Sequence, residues 1–266
     1  NHKKGVIIMS DWNSNQYMKF ERERTQPSKD LISRIEDMNF SRILDLGCGP
    51  GNSTYALKSK FKESEIIGVD ASDNMLEKAR KEHNDLEFKK CFLPNGLDNI
   101  NGKFDLIFSN ACIHWIPKQR ELLTKCRDKL SDGGILAVQI PFIQNAPFYK
   151  ILYKSVDEKW HKLSSIKNFH NLMPEEYYDL LNELGFDFDI WQTTYYHTVS
   201  SHEGIIDWYK GSGLRPYLEA LESDEERQEF ISDLLSVIRE KYPTQSNGNV
   251  ILKMPRVFFV ARKNRR

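Results

Sequence analysis

Short apolar runs recur along the first half of this chain, separated by stretches whose apolar positions return at helical spacing. The runs Arg42–Leu46, Glu65–Asp70, Leu86–Lys90, Phe104–Ser109 and Gly134–Pro141 predict five strands. An amphipathic helix over Lys118–Leu130 leads into the last of them through the stop Ser131-Asp132-Gly133-Gly134. Strands alternating with helices imply a parallel sheet covered on both faces. Two later runs, about Phe186–Thr198 and Asn249–Ala261, complete a seven-stranded, mostly parallel α/β sheet.

The second half breaks the alternation. Helical patterns fill about 147–184 and 201–242, after strands that end at the ligand edge of such a sheet, so both insertions are expected to fold over it as a helical cap. Residues 1–8 precede Met9 and read as a leader or a cloning remnant, leaving 9–266 as a single domain with cap insertions.

Candidate chemistry sharpens the picture at one place. Arg42-Ile43-Leu44-Asp45-Leu46 runs into glycines at 47, 49 and 51, and Asn52-Ser53-Thr54 then opens a helix. Glycines at such a turn remove the Cβ atoms that keep a ligand away from the backbone. Asp45 is expected to order the turn by accepting from its backbone N–H groups, and Asp70, ending the next strand, stands where a ribose hydroxyl pair would sit. A nicotinamide fingerprint needs a small third residue, and that position is Asn52, so the match fails. Together the turn and the two acids resemble the nucleoside grip of an S-adenosylmethionine (SAM)-dependent methyltransferase.

Other residues have two readings each. Trp115, beyond the fourth strand end Ser109-Asn110-Ala111-Cys112, either walls the pocket or caps the sheet, and His114 is either a base or a packing residue. Gln139 lies at the ligand edge of the fifth strand. Trp12, Tyr17, Phe20 and Arg24 recur at near-helical spacing, as a helix packed on the domain or as a lid over a sulfonium. Tyr195 and His197 share one face of the sixth strand and Tyr196 the other; substrate contact and structural burial both remain open for the tyrosines. Arg215, in Gly213-Leu214-Arg215-Pro216, is either an acid anchor or a solvated charge.

These segments, with Ser10-Asp11-Trp12-Asn13, Asp189–His197, Ile205-Ile206-Asp207-Trp208 and Pro255–Arg262, resemble the trans-aconitate 2-methyltransferase family over nearly the whole chain from Met9 onward. The resemblance implies a Rossmann-like class I fold, SAM as donor, and esterification of a carboxylate on a small polycarboxylic acid. It implies a cofactor site of Tyr17, Arg24, Asp45, Gly47, Cys48, Gly49, Asp70, Ala71, Ser72, Met75, Phe92, Asn110, Ala111 and Trp115. Arg24, Trp115, Gln139, Tyr195, Tyr196 and Arg215 are the expected acceptor contacts. The chain departs from the family at Phe92, where an acid commonly meets adenine, and at Gln26, where an arginine is frequent. Phe92 is therefore expected to pack its ring on adenine.

Composition narrows the classes. With 38 basic and 38 acidic residues there is no net field to draw nucleic acid or anionic lipid, and no apolar stretch is long enough for a membrane span. Seven histidines show no metal-ligand spacing, and four cysteines without a Cys-x-x-Cys pair suit reduced thiols in the cytoplasm. A DNA amino-methyltransferase would carry Asn/Asp-Pro-Pro-aromatic after the fourth strand, where Asn110-Ala111-Cys112-Ile113 stands. No base–nucleophile pair is evident, and a carboxylate, ionised at neutral pH, needs none; no residue is assigned as a catalytic acid or base. The competing readings are a methyltransferase for a hydroxyl or amine of another metabolite, with His114 or His197 as base, and a SAM-binding module without activity. The sequence leaves the oligomeric state undetermined.

Overall fold

The computed structural model describes residues 21–36, 38–166 and 169–264, with side chains from residue 25 onward. Its centre is a seven-stranded sheet of β1 (Arg42–Leu46), β2 (Glu65–Asp70), β3 (Glu87–Lys90), β4 (Phe104–Asn110), β5 (Leu130–Pro141), β6 (Phe186–Val199) and β7 (Val250–Lys263). The spatial order is β3-β2-β1-β4-β5-β7-β6, and β7 alone runs antiparallel to its neighbours. The chain works outward from β1 in both directions, which opens a crevice beyond the carboxyl ends of β1 and β4, where an open α/β sheet receives ligands. β5 begins earlier than the apolar run predicts, because Leu130 pairs with Phe104 across a register shift before the regular pairing of Leu106 with Ile135.

Strand alternation sorts the core into two layers. Leu44, Leu46, Ile67, Val69, Leu136, Val138, Val257 and Phe259 point to one face, under α4 (Gln119–Lys129) and α6 (Pro174–Glu183). Ile43, Leu106, Phe108, Ala137 and Phe258 point to the other, under α1 (Glu21–Arg34) and α2 (Asn52–Lys60). Leu76 and Ala79 of α3 (Asp73–Glu82) close over Cys48 and Phe88.

A separate cluster joins the insertions. Phe148, Tyr149 and Leu152 of α5 (Pro147–Glu158) pack with Ile205, Trp208 and Tyr209 of α7 (His202–Lys210) and with Phe230, Leu234 and Ile238 of α9 (Asp224–Lys241). Tyr217 of the short α8 (Arg215–Glu219) joins them. The first insertion was expected to serve the cap as far as about 184, and here the structure corrects the sequence reading. Tyr177, Leu180 and Leu181 of α6 are fully or almost fully buried on the sheet instead, because they pack beside α4 on the face that carries Leu136, Val257 and Phe259. Residues 1–8, expected to be a leader or remnant, and Trp12, Tyr17 and Phe20 lie outside the described residues, as does the side chain of Arg24.

Candidate active site

The glycine turn follows β1 and is held from three sides. Gly47 and Cys48 donate their N–H groups to the Val69 carbonyl at 2.8 and 3.0 Å. Gly47 has φ +71°, and a Cβ there would fall 2.3 Å from the Cys112 sulfur, so only glycine lets the β1 turn lie against the loop after β4. Gly49 N–H donates to Asp70 Oδ2 at 3.0 Å, and Ser72 N–H donates to Asp70 Oδ1 at 2.9 Å. Asp70 thereby joins the two strand ends and retains lone pairs toward the crevice.

Asp45 works differently from the expectation. Its Oδ2 accepts from the hydroxyls of Ser53 at 2.6 Å and Thr54 at 2.7 Å, at the start of α2, not from the backbone of the turn. It is fully buried behind the turn, and burial raises its pKa to about 6, with the two hydroxyls partly opposing the shift. Asp70 is shifted upward too, by burial against the lowering effect of its backbone donors.

Around this turn lies an open cleft. Of the expected cofactor residues, Gly47, Gly49, Asp70, Ala71, Met75, Asn110, Ala111 and Trp115 line it. Cys48 instead packs under α3, and Ser72 caps that helix by accepting from the Met75 N–H.

Phe92 points the other way. It is 62% exposed with the Lys90 ammonium 5.4 Å from its ring centroid, while its neighbours Cys91 and Leu93 line the cleft. Alternation along the extended segment after β3 explains this, since Cys91 N–H donates to the Asp70 carbonyl and sets the register. Burial pushes the Cys91 thiol up to about 11, so it meets the cleft as a neutral apolar group. Asn110 Oδ1 is buried with no hydrogen-bond partner among the described residues, as a site awaiting a donor would leave it.

A second cavity adjoins the first, and Ala111 and Trp115 line both. Ala111 holds a left-handed φ of 51°, costly for a residue with a Cβ, at this junction. The cap supplies Tyr149, Trp208, Tyr209 and Ser212, and Phe169 packs on Trp115 with centroids 4.7 Å apart. Arg256 of β7 lines the cavity at 7% exposure. Among the described residues that line it, Arg256 carries the only fixed charge, and there is no carboxylate.

The expected acceptor contacts fare unevenly. Trp115 is in place as the shared wall. Tyr195 donates its hydroxyl to Asp30 of α1 at 2.5 Å, and Tyr196 is 64% exposed on the edge strand beneath the Lys253 ammonium. Arg215 pairs with Glu219 at 2.7 Å, one helical turn on. None of these three lines either cavity. Gln139 is wholly buried between the cavities' strands, both its amide atoms bonded to no described residue. His114 lines the second cavity, whereas His197 lies behind it, stacked on Trp208 at 4.9 Å.

Arg256, Tyr149, Tyr209 and Ser212 were not singled out for the site from the sequence. For Arg256 a signal was there: a charge among Val250, Leu252, Met254, Phe258 and Val260, the apolar alternate positions of its strand. For the cap residues there was none.

A methyltransferase domain family model matches residues 44–136, the part of the sheet that carries the glycine turn. Trans-aconitate 2-methyltransferase from Escherichia coli is 38% identical over 258 residues, covering 96% of this chain and 99% of that one. The enzyme of the same name from Sinorhizobium fredii is 37% identical over 261 residues, covering 95% and 98%. Among solved structures, phosphoethanolamine N-methyltransferase 2 from Haemonchus contortus in complex with S-adenosyl-L-methionine superposes with a TM-score of 0.56 at 18% identity, covering 90% of this chain and 53% of that one. It shares the fold of the sheet. With relatives this similar from end to end, the chain belongs to the trans-aconitate 2-methyltransferase family of class I SAM-dependent methyltransferases.

Proposed function

We propose that the protein methylates a carboxylate of a small polycarboxylic acid of the trans-aconitate kind, with the donor in the first cavity and the acceptor in the second. The observation that carries this reading is Arg256, a buried guanidinium in an aromatic cavity that shares the Ala111–Trp115 wall with the glycine-turn cleft. A guanidinium is the side chain best suited to hold a carboxylate out of water, through its fork of donors. The two relatives compared above bear the name of the same activity.

The first cleft suits SAM. Asp70 would accept from the ribose hydroxyls, the backbone of Gly47 and Gly49 would lie along the methionine chain, and Asn110 Oδ1 would gain the donor it lacks. Leu93, Cys91 and Met75 would enclose the adenine by apolar contact. When bound, SAM supplies an electrophilic methyl group on a positively charged sulfur. A carboxylate oxygen held in the second cavity would take that methyl group, the new O–C bond replacing the S–C bond whose electron pair stays on sulfur, and no proton would need to move.

The protein's contribution is then position and dryness. Holding donor and acceptor in line is worth up to roughly 7–11 kcal/mol. The aromatic walls of Trp115, Phe169, Trp208 and Tyr209 exclude the water that would otherwise solvate the attacking anion. A cytoplasmic setting is part of this proposal, and no helix among the described residues is long and apolar enough to cross a membrane.

The test is Arg256→Gln assayed with a panel of di- and tricarboxylates. The acceptor KM should rise by at least about tenfold, as expected for losing a charged hydrogen-bond donor, with SAM affinity unchanged by calorimetry. Wild-type protein that turns over no polycarboxylate, or a variant with an unaltered KM, would reject the reading.

A further inference from the structure

The acceptor cavity contains a second polar side chain that the reading above leaves without a task. His114 occupies the single turn Ile113–Trp115 after β4. It lies between Ala111 and Trp115, the residues common to both cavities, and itself lines the acceptor side. It is 3% exposed, and its Nδ1 is buried with no hydrogen-bond partner among the described residues. A buried nitrogen left in this way costs stability unless a ligand or a water completes it.

The ring is also held in place. It stacks on Phe169 with centroids 5.6 Å apart and 22° between planes, and lies 4.9 Å from the Trp115 ring. The turn beneath it is pinned on both sides. Gln119 Nε2 donates to the carbonyls of Ile113 and Ile116 at 2.6 and 2.7 Å, and the His114 carbonyl accepts from His170 N–H at 2.8 Å. Tyr177 in turn donates to Gln119 Oε1 at 3.0 Å. Such bracing suits a group whose direction matters more than its bulk.

We propose that His114 hydrogen-bonds the acceptor carboxylate that is methylated, while Arg256 holds a carboxylate that is not. This rests on the polycarboxylate reading above and assigns the imidazole and the guanidinium of the cavity to the two ends of the acceptor. The division follows from where charge is lost. The attacking carboxylate gives up its negative charge as the ester forms, so a cation upon it would bind the ground state better than the transition state and slow transfer. A neutral N–H holds the second oxygen of that carboxylate with far less of this penalty. A carboxylate that stays charged throughout can take the guanidinium without cost to the rate.

The electrostatics of the cavity agree. Burial, with the Arg256 guanidinium as the second cause, lowers the pKa of His114 well below the usual histidine range, so the ring is uncharged at neutral pH. Among the described residues that line the cavity, the other ionisable groups are the phenols of Tyr149 on α5 and Tyr209 on α7, and burial holds Tyr209 protonated. Trp115 and Phe169 add no charge. The ring therefore offers one N–H donor and one acceptor nitrogen, whose assignment follows the ligand.

The experiment compares His114→Phe, which keeps a stacking ring, with His114→Asn, whose amide can replace Nδ1 as a donor. With trans-aconitate as acceptor, His114→Phe should lose at least about tenfold in kcat, the scale of one well-placed hydrogen bond, with SAM affinity unchanged. His114→Asn should recover most of that loss, and the wild-type kcat should stay level from about pH 6 to 8. In wild-type protein saturated with S-adenosylhomocysteine, the His114 imidazole ¹⁵N resonance should shift on adding trans-aconitate, a readout that stands even if His114→Phe fails to fold. A resonance that does not move, or His114→Phe with wild-type kcat, would overturn the proposal. So would a wild-type kcat that falls below about pH 6.5 and loses that dependence in His114→Asn, the signature of a general base. Arg256→Gln run alongside separates the two failures. If it raises the acceptor KM while His114 proves silent, the polycarboxylate reading survives and only the role of His114 falls.

Discussion

The Tyr195 hydroxyl donates to Asp30 at 2.5 Å and so ties the edge strand β6 to helix α1. Tyr195 also packs against both the cap cluster and the cluster beneath α1, which makes it a structural joint. Tyr195→Phe should therefore lower stability by about 1–3 kcal/mol, because it removes the donor to Oδ2 of a partly buried carboxylate and leaves only Gln26 on its Oδ1. Acceptor KM should stay within about twofold. Urea unfolding and steady-state kinetics on the same preparation check both halves, and a large KM effect at unchanged stability would contradict them.

Arg215→Ala should leave the acceptor KM within about twofold, because Arg215 lines neither cavity. Its guanidinium pairs with Glu219 on the same short helix, and such partly exposed i,i+4 pairs contribute about 0.3–0.5 kcal/mol. The acceptor KM of this variant, set beside that of Arg256→Gln, shows which arginine serves the site.

Asp70→Ala should weaken SAM by at least about tenfold, since hydrogen bonds to a charged group contribute about 1.5–3 kcal/mol. Calorimetry measures it directly. Part of the loss will come from the turn itself, because the Gly49 N–H also loses its acceptor. A Gly49→Val variant, strained at φ +53°, should fail in the same assay with Asp70 still present.

Phe92→Ala should leave SAM affinity within about twofold, whereas Leu93→Ala should weaken it, since Leu93 lines the cleft and Phe92 faces solvent. The opposite ranking would return the adenine to the Phe92 side.

The pH dependence of stability should show the buried Asp45. Its folded pKa of about 6 exceeds the ordinary 3.8. Between those values the native state holds a proton that the unfolded state has released, so stability should fall as pH rises from about 4 to about 6. The limit of this effect is about 3 kcal/mol. Asp70, also shifted upward, adds in the same direction. Asp45→Asn should flatten the slope in urea titrations of ligand-free protein, and an unchanged slope would place the burden on Asp70 alone.

What the sequence determined by itself is the sheet and the donor end of the site. Strand periodicity, the glycines after β1 and the acid ending β2 are local features. A turn such as Asp45–Gly51 must adopt a left-handed backbone and face the crevice whatever packs elsewhere. Tertiary structure decided the rest, for reasons of parity and assembly. Whether Phe92 or Leu93 meets the cleft depends on one backbone hydrogen bond, from Cys91 to Asp70, because side chains alternate along an extended segment. The second cavity draws His114, Tyr149, Trp208 and Arg256 from a loop, two cap helices and the last strand. No short-range pattern joins those positions. Tyr195 and Arg215, polar and prominent in the sequence, found partners in α1 and α8. Arg256, set in an apolar strand, was carried by the antiparallel return of β7 to the edge where the two cavities meet, since its pairing with Pro141 places it beside the end of β5.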